Sequence, residues 1–185
     1  RYVMWRDKYV TDSDKVCGPD TARVKTYPPE TVSEGQGYGM ALAAAVGDKP
    51  TFAKLWNFVR HNLSQSSKKY CGGLMGWMWD GSLACRPADV PCDPDTEACD
   101  GNRDSAFDGD VDIGIALVFA ARQWPEYVEA ATGWILKMEC EVNDTYDGVW
   151  KYPTPGDTFD KNCQNYPNDR CWYTKGNENG RSVNM

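Results

Sequence analysis

The chain has 185 residues, enough for one packed domain, and 41% of them are apolar, with 8 Trp and 10 Tyr available to a core. Its formal net charge of −7 disfavours nucleic acid and anionic membranes, which are held by basic patches, and suits a neutral or cationic partner. No run approaches the roughly 20 apolar residues that would span a bilayer, and residues 1–10 read as an amphipathic element rather than a signal peptide, so the chain reads as a mature or internal segment.

In chain order, a short helix is expected first, through Tyr2, Trp5 and Tyr9. A second helix is written in "TVSEGQGYGMALAAAVGD", residues 31–48, where Ser33 and Gln36 form an S-x-x-Q capping pattern and Gly47 supplies a stop. Here one carboxylate, Glu34, stands among Gly35, Gly37 and Gly39. The glycines either let a helix start in a crowded place or clear space for a substrate to reach the acid. The pattern is not a nucleotide loop, because no strand precedes it and no G-K-[ST] follows. Next, "DKPTFAKLWNFVRHNL" puts Phe52, Leu55, Trp56, Val59 and Leu63 on one helical stripe. After a long aperiodic segment, "DIGIALVFAARQW" aligns Ile113, Ala116, Leu117, Ala120 and Trp124. A further helix starting at Pro125 carries Tyr127, Ala131, Trp134, Ile135 and Met138. Short connections make these helices two antiparallel αα-hairpins, so the chain reads as all-α. The segments at about 64–107 and 142–185 lack periodicity but are rich in cysteine and tryptophan, as expected of ordered, stapled loops.

The 8 cysteines, with no C-x-x-C pair and a single histidine, favour disulfides over zinc and therefore an oxidising, secreted setting. Local pairs, Cys163 with Cys171 and others within 71–99, are the first expectation. Sequons at Asn62 and Asn143 agree with secretion. His61 lies off the apolar stripe of its helix and reads as a solvated surface residue, which excludes a Ser-His-Asp or Cys-His apparatus. Acid–base chemistry must then come from carboxylates. A second acidic group, Asp104, Asp108, Asp110 and Asp112, has D-x-D-x-D spacing, but Ile113 and Phe119 stand where an EF-hand needs glycine and glutamate. Irregular calcium binding through Asp93, Asp95 and Glu97 is the weaker alternative, and no metal site is assigned. Helix-start acids would explain Asp110 or Asp112 without any function. In "GGLMGWMWDG", Trp77 and Trp79 are either core anchors or flat platforms for sugar rings.

Taken together, "TVSEGQGYGM", "GLMGW" and "AFDGDVDIGIALVFAARQW" resemble glycoside hydrolase family 8 in order and spacing, supported by Trp5 and Tyr9, Arg23 and Val24, and "GDKPTFAKLWNF". Phe107 departs from the usual Ser or Thr, and Gly114 from the usual Ala. The resemblance implies part of an (α/α)6 toroid and inverting endo-hydrolysis of a β-1,4-linked polysaccharide (cellulose or β-glucan, xylan, chitosan), with no cofactor. By position, Glu34 would be the general acid, Asp108 would hold the sugar at the cleavage point, and Trp77 would stack on it. Trp79, Tyr38 and Asp110, in the same motifs, are assigned to substrate binding. For the acid, the positive end of the helix dipole favours ionisation, whereas burial among aromatics and the charge of Asp108 favour the proton. The resemblance also implies that residues 1–185 are a single domain corresponding to the first half of the ring, with the base beyond it. The remainder of the barrel or another chain would then be a partner besides the polysaccharide. The alternative is a non-catalytic glycan-binding or cell-wall structural protein derived from such an enzyme.

Overall fold

A computed structural model describes residues 1–12, 17–18, 20–26, 30–64, 73–81, 85–93, 105–141, 144–146 and 150–152. The expected pairing of Cys163 with Cys171, the sequon at Asn143, and Asp95, Glu97 and Asp104 lie outside them. Helix α1 (Tyr2–Tyr9) packs Tyr2, Trp5 and Tyr9 against the core. It runs straight into β1 (Val10–Asp12), which pairs antiparallel with β2 (Ala22–Val24). Strand β3 (Thr31–Val32) leads into α2 (Ser33–Val46), and α3 (Lys49–Arg60) returns beside it. Strand β4 (Met78–Trp79) pairs antiparallel with β3, and α4 (Phe107–Gln123) follows. A 3-10 turn at Pro125–Tyr127 then leads to α5 (Val128–Glu141), and a ladder of β5 (Asp144–Tyr146) with β6 (Trp150–Tyr152) comes last. Among the described residues no helix is long and apolar enough to cross a membrane.

The apolar stripes locate the core. Phe52, Leu55 and Val59 of α3 are fully buried, as are Ile113, Ala116, Leu117 and Ala120 of α4. Phe52 sits between the rings of Trp124 and Tyr127, with centroids 5.5 and 4.9 Å away. Ile135 departs from expectation: it is 50% exposed, because α5 turns Ala131 and Trp134 inward and Ile135 away from that face. With Ile115, Val118, Phe119 and Met138 it lines an apolar groove of about 280 Å³ between α4 and α5.

Helix ends follow local chemistry with one exception. Gly47 closes α2 in the left-handed region at φ 76°, and its N–H reaches Ala43 and Ala44. The S-x-x-Q pattern does not cap α2. Ser33 is the first helical residue, and Gln36 is fully buried: its Oε1 accepts from Val24 N at 2.9 Å, while its Nε2 donates to Ala22 O at 3.2 Å and Leu55 O at 2.9 Å. One amide side chain thereby ties α2 to β2 and α3, a better use of its polar atoms than an exposed cap.

Asp48 caps α3, accepting from Thr51 N at 3.1 Å, Thr51 Oγ1 at 2.8 Å and the Tyr2 hydroxyl at 2.9 Å. Burial works against its charge, but the bonds from Thr51, then Tyr2 and Arg6, hold its carboxyl below the ordinary 3.8. Asp48→Ala is therefore expected to cost about 1 kcal/mol near neutral pH. Because the folded carboxyl ionises more readily than the unfolded one, this contribution is complete above the unfolded value and is lost as pH falls through the folded one. Urea melts of both proteins at neutral pH and at about pH 2 should show the difference closing.

Cys17 is bonded to Cys85 across 68 residues with a Cα–Cα distance of 5.0 Å, a long-range staple rather than the local pairing expected for Cys85. Asn62 is buried beside it, donating to Phe58 O at 2.8 Å and approaching Cys17 Sγ at 3.6 Å. It is therefore not available to carry a glycan. His61 is likewise engaged rather than simply solvated. It ends α3, and its Nδ1 lies 2.6 Å from Arg86 O.

Candidate active site

Three segments meet at the starts of α2 and α4. The two helices run parallel and in register. A β-carbon built at Gly109 would fall 2.6 Å from Ser33 Cβ and 3.0 Å from Glu34 N, and one at Gly37 would fall 2.6 Å from Asp112 Cβ and 2.8 Å from Ile113 N. Farther along, Gln123 Nε2 donates to Ala44 O at 2.8 Å. The third segment carries Trp77, whose carbonyl accepts from Ser33 N at 3.0 Å and so satisfies an otherwise orphaned first-turn donor. Antiparallel bridges Leu63 to Met75 and Gly76 to Ser105 strap this segment between the end of α3 and the approach to α4.

The contacts answer the question raised by the glycines around Glu34. Gly37 faces Asp112 and Ile113, and Gly39 faces Val24, Trp5 and Leu55. Gly37 lets the α4 backbone approach α2, Gly39 makes room for packed apolar side chains, and no space beside the acid follows from either. Gly37→Ala is expected to lower stability by about 2 kcal/mol, because forcing the helices apart outweighs the roughly 1 kcal/mol gained in helix propensity. The urea midpoint of the full-length protein is the measurement.

The chemistry gathers at this end. Glu34 is half-buried, with Ser33 Oγ 3.4 Å from its Oε2. Asp108 is exposed on the first turn of α4, where its Oδ1 accepts from Gly109 N at 2.9 Å. Trp77 keeps 36% of its surface exposed. Tyr38, 58% exposed, follows Glu34 by one turn, and Asp112 follows Asp108 by one turn. Tyr38 and Asp112 act on each other electrostatically across the seam. Burial, then the charges of Asp108 and Glu34, push the Asp112 carboxyl up against the smaller opposing effect of the Tyr38 hydroxyl. The Tyr38 hydroxyl is pushed up as well, chiefly by Asp112, with burial, Glu34 and Asp108 adding to it. Two helix starts therefore carry three carboxylates and a phenol that feel one another.

Two residues assigned to substrate binding are placed elsewhere. Trp79 is 3% exposed, with Phe58 edge-on at 5.8 Å and the Arg23 guanidinium 4.7 Å over its ring, so it has no free face for a sugar. Asp110 is fully buried on the inward side of α4, and its carbonyl accepts from Trp134 Nε1 at 2.9 Å. Asp112, in contrast, was not assigned to the site from sequence. The available signal was its i+4 spacing from Asp108, matching that of Tyr38 from Glu34.

The family described as glycosyl hydrolases family 8 matches residues 1–147. The chain belongs to that family. An endoglucanase of Salmonella typhi is 32% identical over 158 residues, covering 84% of this chain and 38% of the relative. The endo-β-1,4-glucanase CMCax from Acetobacter xylinum superposes with a TM-score of 0.60 at 28% identity, covering 84% of this chain and 42% of that one. A β-1,3-1,4-glucanase from Paenibacillus sp. X4 shares the fold, with a TM-score of 0.62 at 24% identity over 85% of this chain and 38% of its own. The chain thus spans about two-fifths of the length of these family 8 proteins. Its helical hairpins, with α2 parallel to α4, are part of the family's (α/α)6 toroid. Gly114, which departs from the family pattern, has a local reason. A β-carbon there would lie 3.2 Å from Met138 Sδ and 3.3 Å from Trp134 Cδ1, so α5 has moved into the space of a methyl group.

Proposed function

We propose that the full-length protein is a secreted endo-hydrolase that cleaves β-1,4-linked glucan with inversion. The observation that carries this reading is the half-buried Glu34 next to exposed Asp108, with the partly exposed Trp77 on the segment that caps the same helix start. Glu34 protonates the glycosidic oxygen as the leaving group departs. Asp108 grips the sugar at the cleavage point, and Trp77 stacks under a neighbouring ring through the sugar's apolar C–H face. The base that activates water belongs to a part of the protein beyond this chain, roughly 6.5–9.5 Å from the acid, as inversion requires. The apolar groove between α4 and α5 seats the next helix pair of the ring, since an uncovered patch of that kind marks an interface. The long-range Cys17–Cys85 bond supports an oxidising, extracellular location. Relatives named endoglucanase favour glucan over xylan or chitosan.

The test assays reducing ends released from soluble β-1,4-glucan, xylan and chitosan by the full-length protein and its Glu34→Gln variant. Fast turnover of glucan that disappears in the variant supports the reading. Undiminished hydrolysis by the variant removes Glu34 from the mechanism, and glycan binding without turnover by the unaltered protein replaces the enzyme with a binding module.

A further inference from the structure

We propose that Arg23 is a positioning residue of this site: its guanidinium braces β4 against β3 and so sets where Trp77 lies relative to Glu34. The inference rests on the reading of Glu34 and Trp77 given above.

Three observations carry it. The first is where the strands lead. Thr31 pairs with Trp79 and Val32 with Met78; Glu34 stands three residues after Thr31, and Trp77 two residues before Trp79. The bond from Ser33 N to the Trp77 carbonyl, at 3.0 Å, continues this pairing to the first turn of α2. The second is that one side chain engages both strands. Arg23 Nη1 donates to Thr31 Oγ1 at 3.0 Å, and the same guanidinium lies 4.7 Å over the ring of Trp79, well within cation–π range. Thr31 is fully buried and donates in turn to Val24 O at 2.9 Å, so two successive residues of β2 hold it.

The third is that Arg23 is itself tied to the helix that bears the acid. Its neighbours Ala22 and Val24 are the β2 residues bonded by Gln36, through Ala22 O at 3.2 Å and Val24 N at 2.9 Å, and Gln36 follows Glu34 by two residues on α2. The contacts close a circuit, from α2 through β2 and the guanidinium to β3 and β4, and back to the start of α2. Such a circuit holds the ring of Trp77 at a set place, with little freedom left to lose when a sugar arrives. Burial pushes the guanidinium below its ordinary value, a cost that a side chain serving only to fill space over Trp79 would avoid by being apolar. An apolar chain would lack the fork that bonds Thr31 while the flat face stacks.

Lysine keeps the charge but cannot stack flat on the indole and bond Thr31 at once, so Arg23→Lys removes the brace alone. In the full-length protein this variant is expected to raise KM for soluble β-1,4-glucan and to weaken binding of cellohexaose, each about tenfold, with kcat within about threefold. Asp48→Ala, which loosens the fold at the opposite end of α2, should leave all three within about twofold. The deciding measurement is a double-mutant cycle on cellohexaose binding. Because Arg23 acts through Trp77, Arg23→Lys should weaken binding by no more than about twofold once Trp77→Ala is present.

Thermal melts check folding, and binding is read well below each midpoint. Arg23→Ala should show at least the effect of the lysine variant. Should both fail to fold, Trp79→Phe, which narrows the stacking face and keeps a ring against Phe58, enters the same cycle. The proposal is overturned if folded variants melt lower yet keep KM and cellohexaose affinity, or if their effect is fully additive with that of Trp77→Ala. Unchanged binding by Trp77→Ala alone is a different result and overturns the stacking reading. Full turnover by Glu34→Gln overturns the reading of the acid, and the binding cycle then decides the brace by itself.

Discussion

In the full-length protein, Glu34→Gln is expected to lower kcat on soluble β-1,4-glucan by roughly 10²–10⁴-fold, the usual contribution of a positioned general acid. The substitution is nearly isosteric, and among the described residues the Glu34 carboxyl makes one long contact, with Ser33 Oγ at 3.4 Å, so the fold has little to lose. KM should stay within about threefold, because an amide preserves shape and hydrogen bonding while removing the proton that is transferred. A substrate bearing a good leaving group, such as a nitrophenyl glycoside, should recover much of the lost rate, since its departure needs less protonation. A variant equally slow on both substrates would point to a misplaced cleft rather than a missing proton donor.

The second large effect is on stability. The Cys17–Cys85 bond closes a loop of 68 residues, for which chain-entropy arguments give about 4 kcal/mol. Cys92 is also disulfide-bonded. A crosslink at Cys92, which lies outside this loop, would restrict only part of the same unfolded chain, so the expected loss for the Cys17→Ser, Cys85→Ser double variant is about 2–4 kcal/mol. The bond joins the segment before β2 to the segment after β4, and Asn62 packs against its sulfur from the end of α3. Loosening should therefore spread to the strap that carries Trp77. Guanidinium melts under non-reducing conditions provide the measurement, and an unchanged midpoint would show that packing alone holds these segments.

The helices were legible because each writes one apolar stripe at the helical period. Phe52, Leu55 and Val59, or Ile113, Ala116 and Leu117, declare which side faces inward without naming what they will meet. What periodicity cannot supply is the partner. Gln36 looked like a cap because a cap is a local device, whereas its three bonds run to β2 and α3, elements 12 to 19 residues away. Trp77 and Trp79 are two positions apart and equivalent in sequence. Only the pairing of β4 with β3 turns one of them under Arg23 and Phe58 and leaves the other 36% exposed. The motif residues Glu34 and Asp108 were found through the family pattern. The approach of Asp112 to α2 at Gly37 was not, because it depends on two helices lying parallel and touching.

That touching has a mechanical consequence. Where helices meet through long side chains, their spacing drifts as rotamers exchange; where a glycine receives the facing chain at its Cβ and backbone, as Gly37 receives Asp112 and Ile113 and Gly109 receives Ser33 and Glu34, there is little left to rearrange. The bearing of Glu34 is therefore set by a closely packed seam, while Trp77 belongs to a bridged loop. Warming, or exchange of that loop, should alter which sugars are held well before it alters how the acid is aimed.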